Sequence, residues 1–156
     1  MPIINVSGDP LLTGCQVVAF GYNTRGQSES REEQIRLHQS FPAMFSVFKR
    51  QARKGKIKSG DVWQWNETTP NFHMWLIRES AYGATRIRYV QAIVMNFVRD
   101  YRLYNIGSLA LIRPGNDIEY QEFKPILEQW LDPLPIPIVI YETYEADVKA
   151  DETLGE

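Results

Sequence analysis

The stretch QVVAFGYNTRG, residues 16–26, decides the fold of this chain. Its first half, Val17 to Phe20, is a short apolar run typical of a strand buried on both faces of a sheet. The run ends in a polar loop bounded by glycines, where backbone amides can stay open to a ligand. Open α/β sheets place small-molecule sites at such strand ends. Taken alone, the segment is explained more simply by a strand followed by an ordinary turn.

The composition is that of a single globular domain. The 156 residues are 44% hydrophobic and 23% charged, which is enough to form one core. The one cysteine, Cys15, excludes an internal disulfide and fits a reducing cytoplasm, which is the expected location. His38 and His73 have no metal-ligand spacing, so neither a metal nor a cofactor is expected. No apolar run is long enough to span a bilayer, so no membrane partner is expected.

Outward from residues 16–26, the pattern predicts alternating strands and helices. Strands are expected at residues 3–6, 16–21, 61–65, 72–77, 109–112 and 136–141. Helices are expected at residues 30–39, 42–54, 85–101 and 119–131, the first of them starting at a capping box, Ser30 to Glu33. Strands interleaved with helices predict an α/β protein, a three-layer α/β/α sandwich with a central mixed sheet.

The charge is unevenly distributed. Residues 142–156 contain six acidic side chains and one lysine, whereas the whole chain has a net charge of −2. A segment of this composition buries little apolar surface. We therefore expect one domain over residues 1–142 and an acidic, flexible tail over residues 143–156.

Three segments in order resemble a macro domain. They are Gly8-Asp9 after the first strand, Asn23-Thr24-Arg25-Gly26 after the second, and FPAMFSVFKRQARKGKIKSGDVW at residues 41–63. The branch that looks most similar is that of the DNA ADP-ribosyl glycohydrolase antitoxins and the eukaryotic relatives that cleave ADP-ribose from glutamate. RESAYGATRIRYVQAI at residues 78–93 and EYQEFKPILEQWL at residues 119–131 are similarly placed. The resemblance spans residues 1–142 and implies the macro-domain fold.

The resemblance also implies a ligand site. Asp9 matches the residue that accepts a hydrogen bond from the adenine amine, and Asn23 matches one that lies against the ribose beside the scissile bond. Without the resemblance, both are explained as ordinary turn residues. The candidate ligand-binding residues are Asp9, Asn23, Thr24, Gly26, Arg31, Arg113, Gly115, Asn116 and Asp117.

The chain departs from the family pattern at the residues that do chemistry. Phe20 replaces the first asparagine of the loop, and Gln27-Ser-Glu-Ser-Arg-Glu replaces the family's Met-Gly-Lys-Gly. The residue nearest to the catalytic lysine is Arg31, which cannot lose its proton near neutrality and so cannot replace a lysine. No catalytic residue is therefore assigned. The second phosphate loop is reduced to residues 113–117 and has lost glycines.

Three functions stay open at this point. The first is a module that binds ADP-ribose or a related adenine nucleotide without turning it over. The second is an ADP-ribosyl glycohydrolase acting on ADP-ribosylated DNA or protein. The third is an interaction protein that keeps the fold with a decayed pocket. Residues 49–58 contain six basic side chains and no acidic one, which suits nucleic acid but is explained more simply as a solvated helix end.

Overall fold

The computed structural model describes residues 3–152. The strands are β1 (Ile4–Gly8), β2 (Val17–Asn23), β3 (Val62–Trp65), β4 (Asn71–Arg78), β5 (Leu109–Ile112) and β6 (Ile138–Tyr144). The helices are α1 (Glu32–Ser40), α2 (Pro42–Arg53), α3 (Ile87–Asp100) and α4 (Asp117–Leu131), with a 3₁₀ turn at Pro10–Leu12. Within the described residues, no helix has the length and apolar character needed to cross a bilayer.

The six strands form one mixed sheet in the order β1-β6-β5-β2-β4-β3. Every neighbouring pair is parallel except β3 and β4, which are antiparallel. The carboxyl ends of β1, β2, β5 and β6 therefore meet at one edge of the sheet. This is the edge where an open α/β sheet places a ligand.

Side-chain alternation along the strands divides the core into two halves, one on each face of the sheet. Val17 and Ala19 of β2 belong to the core under α3 and α4. Val18, Phe20 and Tyr22 belong to the core under α1 and α2. Helices thus cover both faces, which confirms the predicted three-layer α/β/α sandwich with a central mixed sheet.

Phe20 has no solvent-exposed surface and lies in an aromatic cluster. Its ring centroid is 6.2 Å from that of Tyr22, 6.0 Å from that of Phe45 and 6.2 Å from that of Phe72. Edge-to-face and tilted contacts at these distances are favourable for aromatic rings. The residue that replaces the family's asparagine is therefore a core residue of the α1–α2 half.

The start of α1 differs from the expected one. The helix begins at Glu32 rather than at Ser30, and Arg31 occupies the N-cap position without a side-chain capping bond. The Nε of Arg31 instead lies 2.6 Å from Oε1 of Glu33. A capping box does form in α4, between Asn116 and Glu119, so that this helix begins earlier than expected. The later start of α1 leaves Arg31 in the loop, at the carboxyl edge of the sheet.

The end of the chain also differs from the expectation. The boundary expected after residue 142 falls inside β6, which continues to Tyr144. Residues 145–152 then turn back onto the end of β1, where the amide of Asp9 donates to the carbonyl of Val148 at 2.7 Å. Composition describes what apolar side chains can bury, whereas this segment is held largely by hydrogen bonds of its backbone and of its acidic side chains. Residues 153–156 of the expected tail lie outside the described residues.

Candidate functional site

A cleft of about 400 Å³ lies at the carboxyl edge of the sheet. Its walls come from the segments after β1, β2 and β5, which carry Pro10, Arg31 and Arg113 respectively, and from the end of β6 at Tyr144. We call it the main cleft. Its charged lining consists of Arg31, Glu32, Glu33, Arg113, Asp117 and Glu142. Of the residues predicted from the sequence, Arg31, Arg113 and Asp117 therefore line one cavity.

Arg31 crosses this edge of the sheet from the loop after β2 to the loop after β5. Its Nη1 donates to the carbonyl oxygen of Gly115 at 2.9 Å, while its Nε pairs with Glu33. Burial lowers the pKa of Arg31 from its ordinary value, and Arg113 acts in the same direction while Glu33 opposes it. The guanidinium is thus a partly desolvated cation with a second cation nearby.

A second cavity, of about 420 Å³, lies on the other side of Arg31, and we call it the side cleft. It is lined by Glu29, Arg31, Arg78, Asn116 and other residues of the loops around them. Arg31 lines both cavities and forms the wall between them. A ligand longer than either cavity would have to pass the Arg31 side chain.

Arg78, the last residue of β4, forms a buried ion pair with Glu29. Its Nη2 lies 2.5 Å from Oε1 of Glu29, and the two side chains are only 7% and 5% exposed. The Nη1 of Arg78 also donates to Oγ1 of Thr85 at 3.0 Å. A buried ion pair is tolerated only when further hydrogen bonds satisfy its charged atoms. Thr85 and the amide of Asn23 supply those bonds here.

Asn23 is fully buried at the end of β2. Its Nδ2 donates to Oε2 of Glu29 at 2.9 Å and to the carbonyl of Gln27 at 2.8 Å. Its Oδ1 accepts the amide of Gln27 at 2.9 Å. The side-chain amide therefore shapes the loop after β2, and its predicted contact with a ribose stays a prediction.

Asp9 is also fully buried, at the end of β1. Its Oδ1 accepts the amide of Leu11 at 3.0 Å, so that Asp9 caps the 3₁₀ turn. Its Oδ2 accepts the amide of Asp147 at 2.9 Å and lies 3.3 Å from Nη2 of Arg36. The resemblance implies that this carboxylate accepts a hydrogen bond from an adenine amine, which would require it to be accessible to a ligand. The structure instead buries it beneath residues 145–152, because the backbone of that segment supplies a hydrogen-bond donor.

Two further candidates lie where β2 ends. The amide of Thr24 donates to the carbonyl of Arg78 at 3.0 Å, which extends the pairing of β2 and β4 by one bond. Gly26 packs against the backbone of Lys49 in α2. Thr24 and Gly26 shape the loop, and neither lines the main cleft or the side cleft.

The last group of candidates forms the start of α4. Gly115 has φ of 78°, a left-handed conformation in which a Cβ would lie 2.9 Å from the side chain of Glu119. The side chain of Asn116 accepts the amide of Glu119 at 2.8 Å and caps the helix. Arg113 forms an ion pair with Asp117 on the rim of the main cleft. The predicted residues thus form two groups. Arg31, Arg113 and Asp117 line the main cleft, and the others stabilise the loops by hydrogen bonds or backbone packing.

Sequence reasoning missed the partners that fill the site. Glu29 and Arg78 are 49 residues apart, and neither belongs to a sequence motif that predicts the ion pair between them. The acidic composition of residues 143–156 predicts a flexible tail and gives no sign that residues 145 and 148 bond to Gly8 and Asp9. The one usable signal was Arg78 itself, a cation that directly ends an apolar strand.

In sequence, the chain matches no protein-family model and no curated protein. In structure, it is similar to the macrodomain of Thermus aquaticus DarG, with a TM-score of 0.79, 18% identity, and 90% of this chain and 97% of that one covered. The macrodomain of Mycobacterium tuberculosis DarG is similar with a TM-score of 0.73 and 19% identity, and the match covers 89% of this chain and 96% of that one. Thermosipho africanus DarTG, solved in complex with ADP-ribose, is similar with a TM-score of 0.80 and 20% identity, and the match covers 96% of this chain and 43% of that one. These likenesses establish the macrodomain fold and confirm the expected resemblance at that level.

Proposed function

We propose that the main cleft binds ADP-ribose or a related adenine nucleotide, with Arg31 and Arg113 holding the phosphates. The observation that carries the proposal is that two arginines, from the loops after β2 and β5, line one cavity at the carboxyl edge of a largely parallel sheet. Guanidinium groups bind phosphate oxygens through paired, charge-assisted hydrogen bonds. Side-chain cations would thereby replace the backbone amides that a glycine-rich loop offers.

The electrostatics of the two arginines favour an anion between them. Burial is the main cause that lowers the pKa of Arg31, and the neighbouring Arg113 acts in the same direction, so the charged form of Arg31 carries a desolvation cost. An anionic group placed near both guanidiniums would relieve that cost. The cavity volume of about 400 Å³ falls within the range of roughly 300–1,000 Å³ typical of small-molecule sites.

Each arginine already has a carboxylate partner, so a phosphate must compete for it. The partner of Arg113 is Asp117, whose side chain is 80% exposed and can turn into solvent. The partner of Arg31 is Glu33, whose side chain is only 8% exposed and is held in α1. Arg113 is therefore the arginine more easily freed for a phosphate, with Arg31 as a fixed second cation.

The fold supports the same proposal. The structurally similar Thermosipho africanus DarTG was solved in complex with ADP-ribose. In this chain, the residues at the two ends of the expected ligand path, Asp9 and Asn23, hold hydrogen bonds within the protein itself. We therefore propose binding of modest affinity and assign no catalytic residue.

The test is isothermal calorimetry with ADP-ribose, AMP and inorganic pyrophosphate on the full chain and on Arg113→Ala. We expect the substitution to weaken ADP-ribose binding by about tenfold or more, as for loss of a charged hydrogen bond. Arg99→Ala is the matched control, because Arg99 is 70% exposed on α3 and lines neither the main nor the side cleft. Equal affinities in Arg113→Ala and Arg99→Ala, or no binding of any phosphate compound, would contradict the proposal.

A further inference from the structure

Residues 145–152 form a segment that lies across the end of β1, and we call it the C-terminal strap. Its first residue, Glu145, donates its amide to the carbonyl of Gly8 at 2.9 Å. The amide of Asp9 donates in turn to the carbonyl of Val148 at 2.7 Å. These bonds attach the strap to the turn that carries Asp9.

The far end of the strap is anchored by Glu152. Its carboxylate accepts Oγ1 of Thr13 at 2.6 Å, the amide of Gly14 at 2.9 Å and the hydroxyl of Tyr141. Close packing lies between the two attachments, because a Cβ on Gly8 would be 2.8 Å from the Cβ of Ala150. The strap is thus fixed at both ends and fits a backbone that has no side chain at that point.

Between these attachments, the strap offers a donor to a buried acceptor. The amide of Asp147 donates to Oδ2 of Asp9 at 2.9 Å, and the strap leaves Asp9 without exposed surface. A carboxylate only accepts hydrogen bonds, so the group that meets it must carry an N–H or O–H. The amino group of an aminopurine base is another such donor.

We infer that the C-terminal strap is a built-in competitor of the nucleotide: it occupies Asp9, and it must move away before a base can reach that carboxylate. The inference rests on the proposed function, because it takes the main cleft as the phosphate end of the same ligand path. Pro10 and Tyr144, which flank Asp9 and the start of the strap, line that cleft. Asp9 and the start of the strap are thus the chain neighbours of cleft-lining residues, and the strap would have to move for the cleft to extend to the Asp9 carboxylate.

The strap is suited to detachment. Over residues 145–149 every residue is solvent-exposed, and the apolar side chain of Val148 is itself 47% exposed. Asp147 has φ of 61°, a left-handed conformation that is unfavourable for a residue other than glycine. Apart from the buried Ala150, the strap is held by hydrogen bonds and by the ion pair between Asp147 and Arg36 rather than by apolar packing. A segment held in this way can open locally without unfolding the domain.

Two substitutions at one position separate the open and closed forms in the full chain. Asp147→Pro removes the N–H that bonds Asp9 and cannot adopt the positive φ, so the strap should detach. Asp147→Gly keeps the N–H and adopts the positive φ without strain, so the backbone bonds should keep the strap in place. Both substitutions remove the ion pair between Asp147 and Arg36, so that loss is common to the two variants. Glu152→Ala releases the other end and serves as a second opening variant far from residue 147.

Calorimetry with ADP-ribose and amide hydrogen exchange by NMR provide the readouts. We expect Asp147→Pro and Glu152→Ala to bind ADP-ribose at least about tenfold more tightly than the unmodified chain, since closure reduces the binding-competent fraction. Asp147→Gly should bind no more tightly than the unmodified chain. Pyrophosphate, which has no base, should bind all four proteins alike. Saturating ADP-ribose should remove exchange protection from the amides of Asp9 and Asp147.

The outcomes distinguish the strap from the proposed function. If ADP-ribose binds the opened and unopened proteins equally and the amide of Asp147 stays protected in the complex, the strap inference is overturned and the proposed function stands. If neither ADP-ribose nor pyrophosphate binds a variant whose exchange shows the strap detached, the proposed function fails, and the competitor role fails with it.

Discussion

Arg31 donates from Nη1 to the carbonyl oxygen of Gly115 at 2.9 Å, which joins the loop after β2 to the loop after β5. This one side chain divides the carboxyl edge of the sheet into the main cleft and the side cleft. The division gives Arg31 a structural role that is independent of any ligand.

Arg31→Ala should merge the two clefts and weaken nucleotide binding. The variant loses both the bridge to Gly115 and a cation of the main cleft, so we expect ADP-ribose affinity to fall by about tenfold or more. Arg31→Lys keeps the charge but loses the forked donor geometry, and it should restore binding only in part. Calorimetry on the two variants checks this. If Arg31→Ala bound ADP-ribose with unchanged affinity, Arg31 would not contact the ligand, and its role would be limited to the bridge between the two loops.

The chain should release no ADP-ribose from ADP-ribosylated DNA or from ADP-ribosylated glutamate by a lysine-dependent mechanism. A lysine nucleophile or base must become neutral, whereas the guanidinium of Arg31 stays charged near neutrality even with its pKa lowered. The measurement is chromatographic detection of free ADP-ribose after prolonged incubation. Turnover that disappears in Arg31→Ala would show that a different active site is built here.

Asp9→Ala should destabilise the domain whether or not a nucleotide binds. The carboxylate is fully buried and accepts the amides of Leu11 and Asp147, so we expect the free energy of unfolding to fall by about 1–3 kcal/mol. Asp9→Asn retains one side-chain acceptor oxygen, so its free energy of unfolding should fall by less than that of Asp9→Ala. Urea denaturation of both variants measures the difference. An unchanged midpoint in Asp9→Ala would mean that the cap and the strap contribute nothing to stability.

Breaking the ion pair of Glu29 and Arg78 from one side should be costly. In Arg78→Met, the carboxylate of Glu29 stays buried without its cation, and we expect a loss of about 3–5 kcal/mol. The double variant Glu29→Met, Arg78→Met removes both charges and should be destabilised by less than the sum of the single changes. A double-mutant cycle in urea measures this coupling. Additive losses would show that the two charges do not depend on each other.

His73 should make stability depend on pH. Burial lowers its pKa from 6.5 to about 4, so between these values the unfolded chain binds more protons than the folded one. The contribution is fully present above about pH 6.5 and is lost as the pH falls through 4, by about 3 kcal/mol in total. His73→Gln should flatten this part of the curve. Parallel curves for the two proteins, measured by urea denaturation from pH 4 to 7, would contradict the assignment.

The sheet could be predicted from the sequence because its strands carry local signals. The apolar run from Val17 to Phe20 predicts a strand that is buried on both faces of the sheet, and every residue of β2 is buried. Arg31 and Arg113 could be placed near each other because both follow parallel strands. The partners of Glu29 could not be predicted, since a buried ion pair between residues 49 positions apart leaves no periodicity.

Two predictions from local sequence, the start of α1 and the flexible end of the chain, differ from the structure for physical reasons. Ser30 has the capping-box spacing, but the Glu33 side chain pairs with Arg31 instead of the backbone, and α1 starts later. The acidic end of the chain has little to bury, yet its peptide groups find partners at Gly8 and Asp9. Side-chain composition does not report on backbone hydrogen bonding, so both errors arise from contacts that only the folded chain creates.

The aromatic cluster around Phe20 restricts which side chains position 20 can accept. An asparagine introduced there would place a polar amide against the rings of Phe45 and Phe72, which carry no hydrogen-bonding group. Burying such a group costs about 1–3 kcal/mol, in addition to the lost packing of the ring. An amide at position 20 would therefore be accommodated only if the facing rings rearranged, so the packing of this half of the core sets a steric and polar limit on the loop that follows β2.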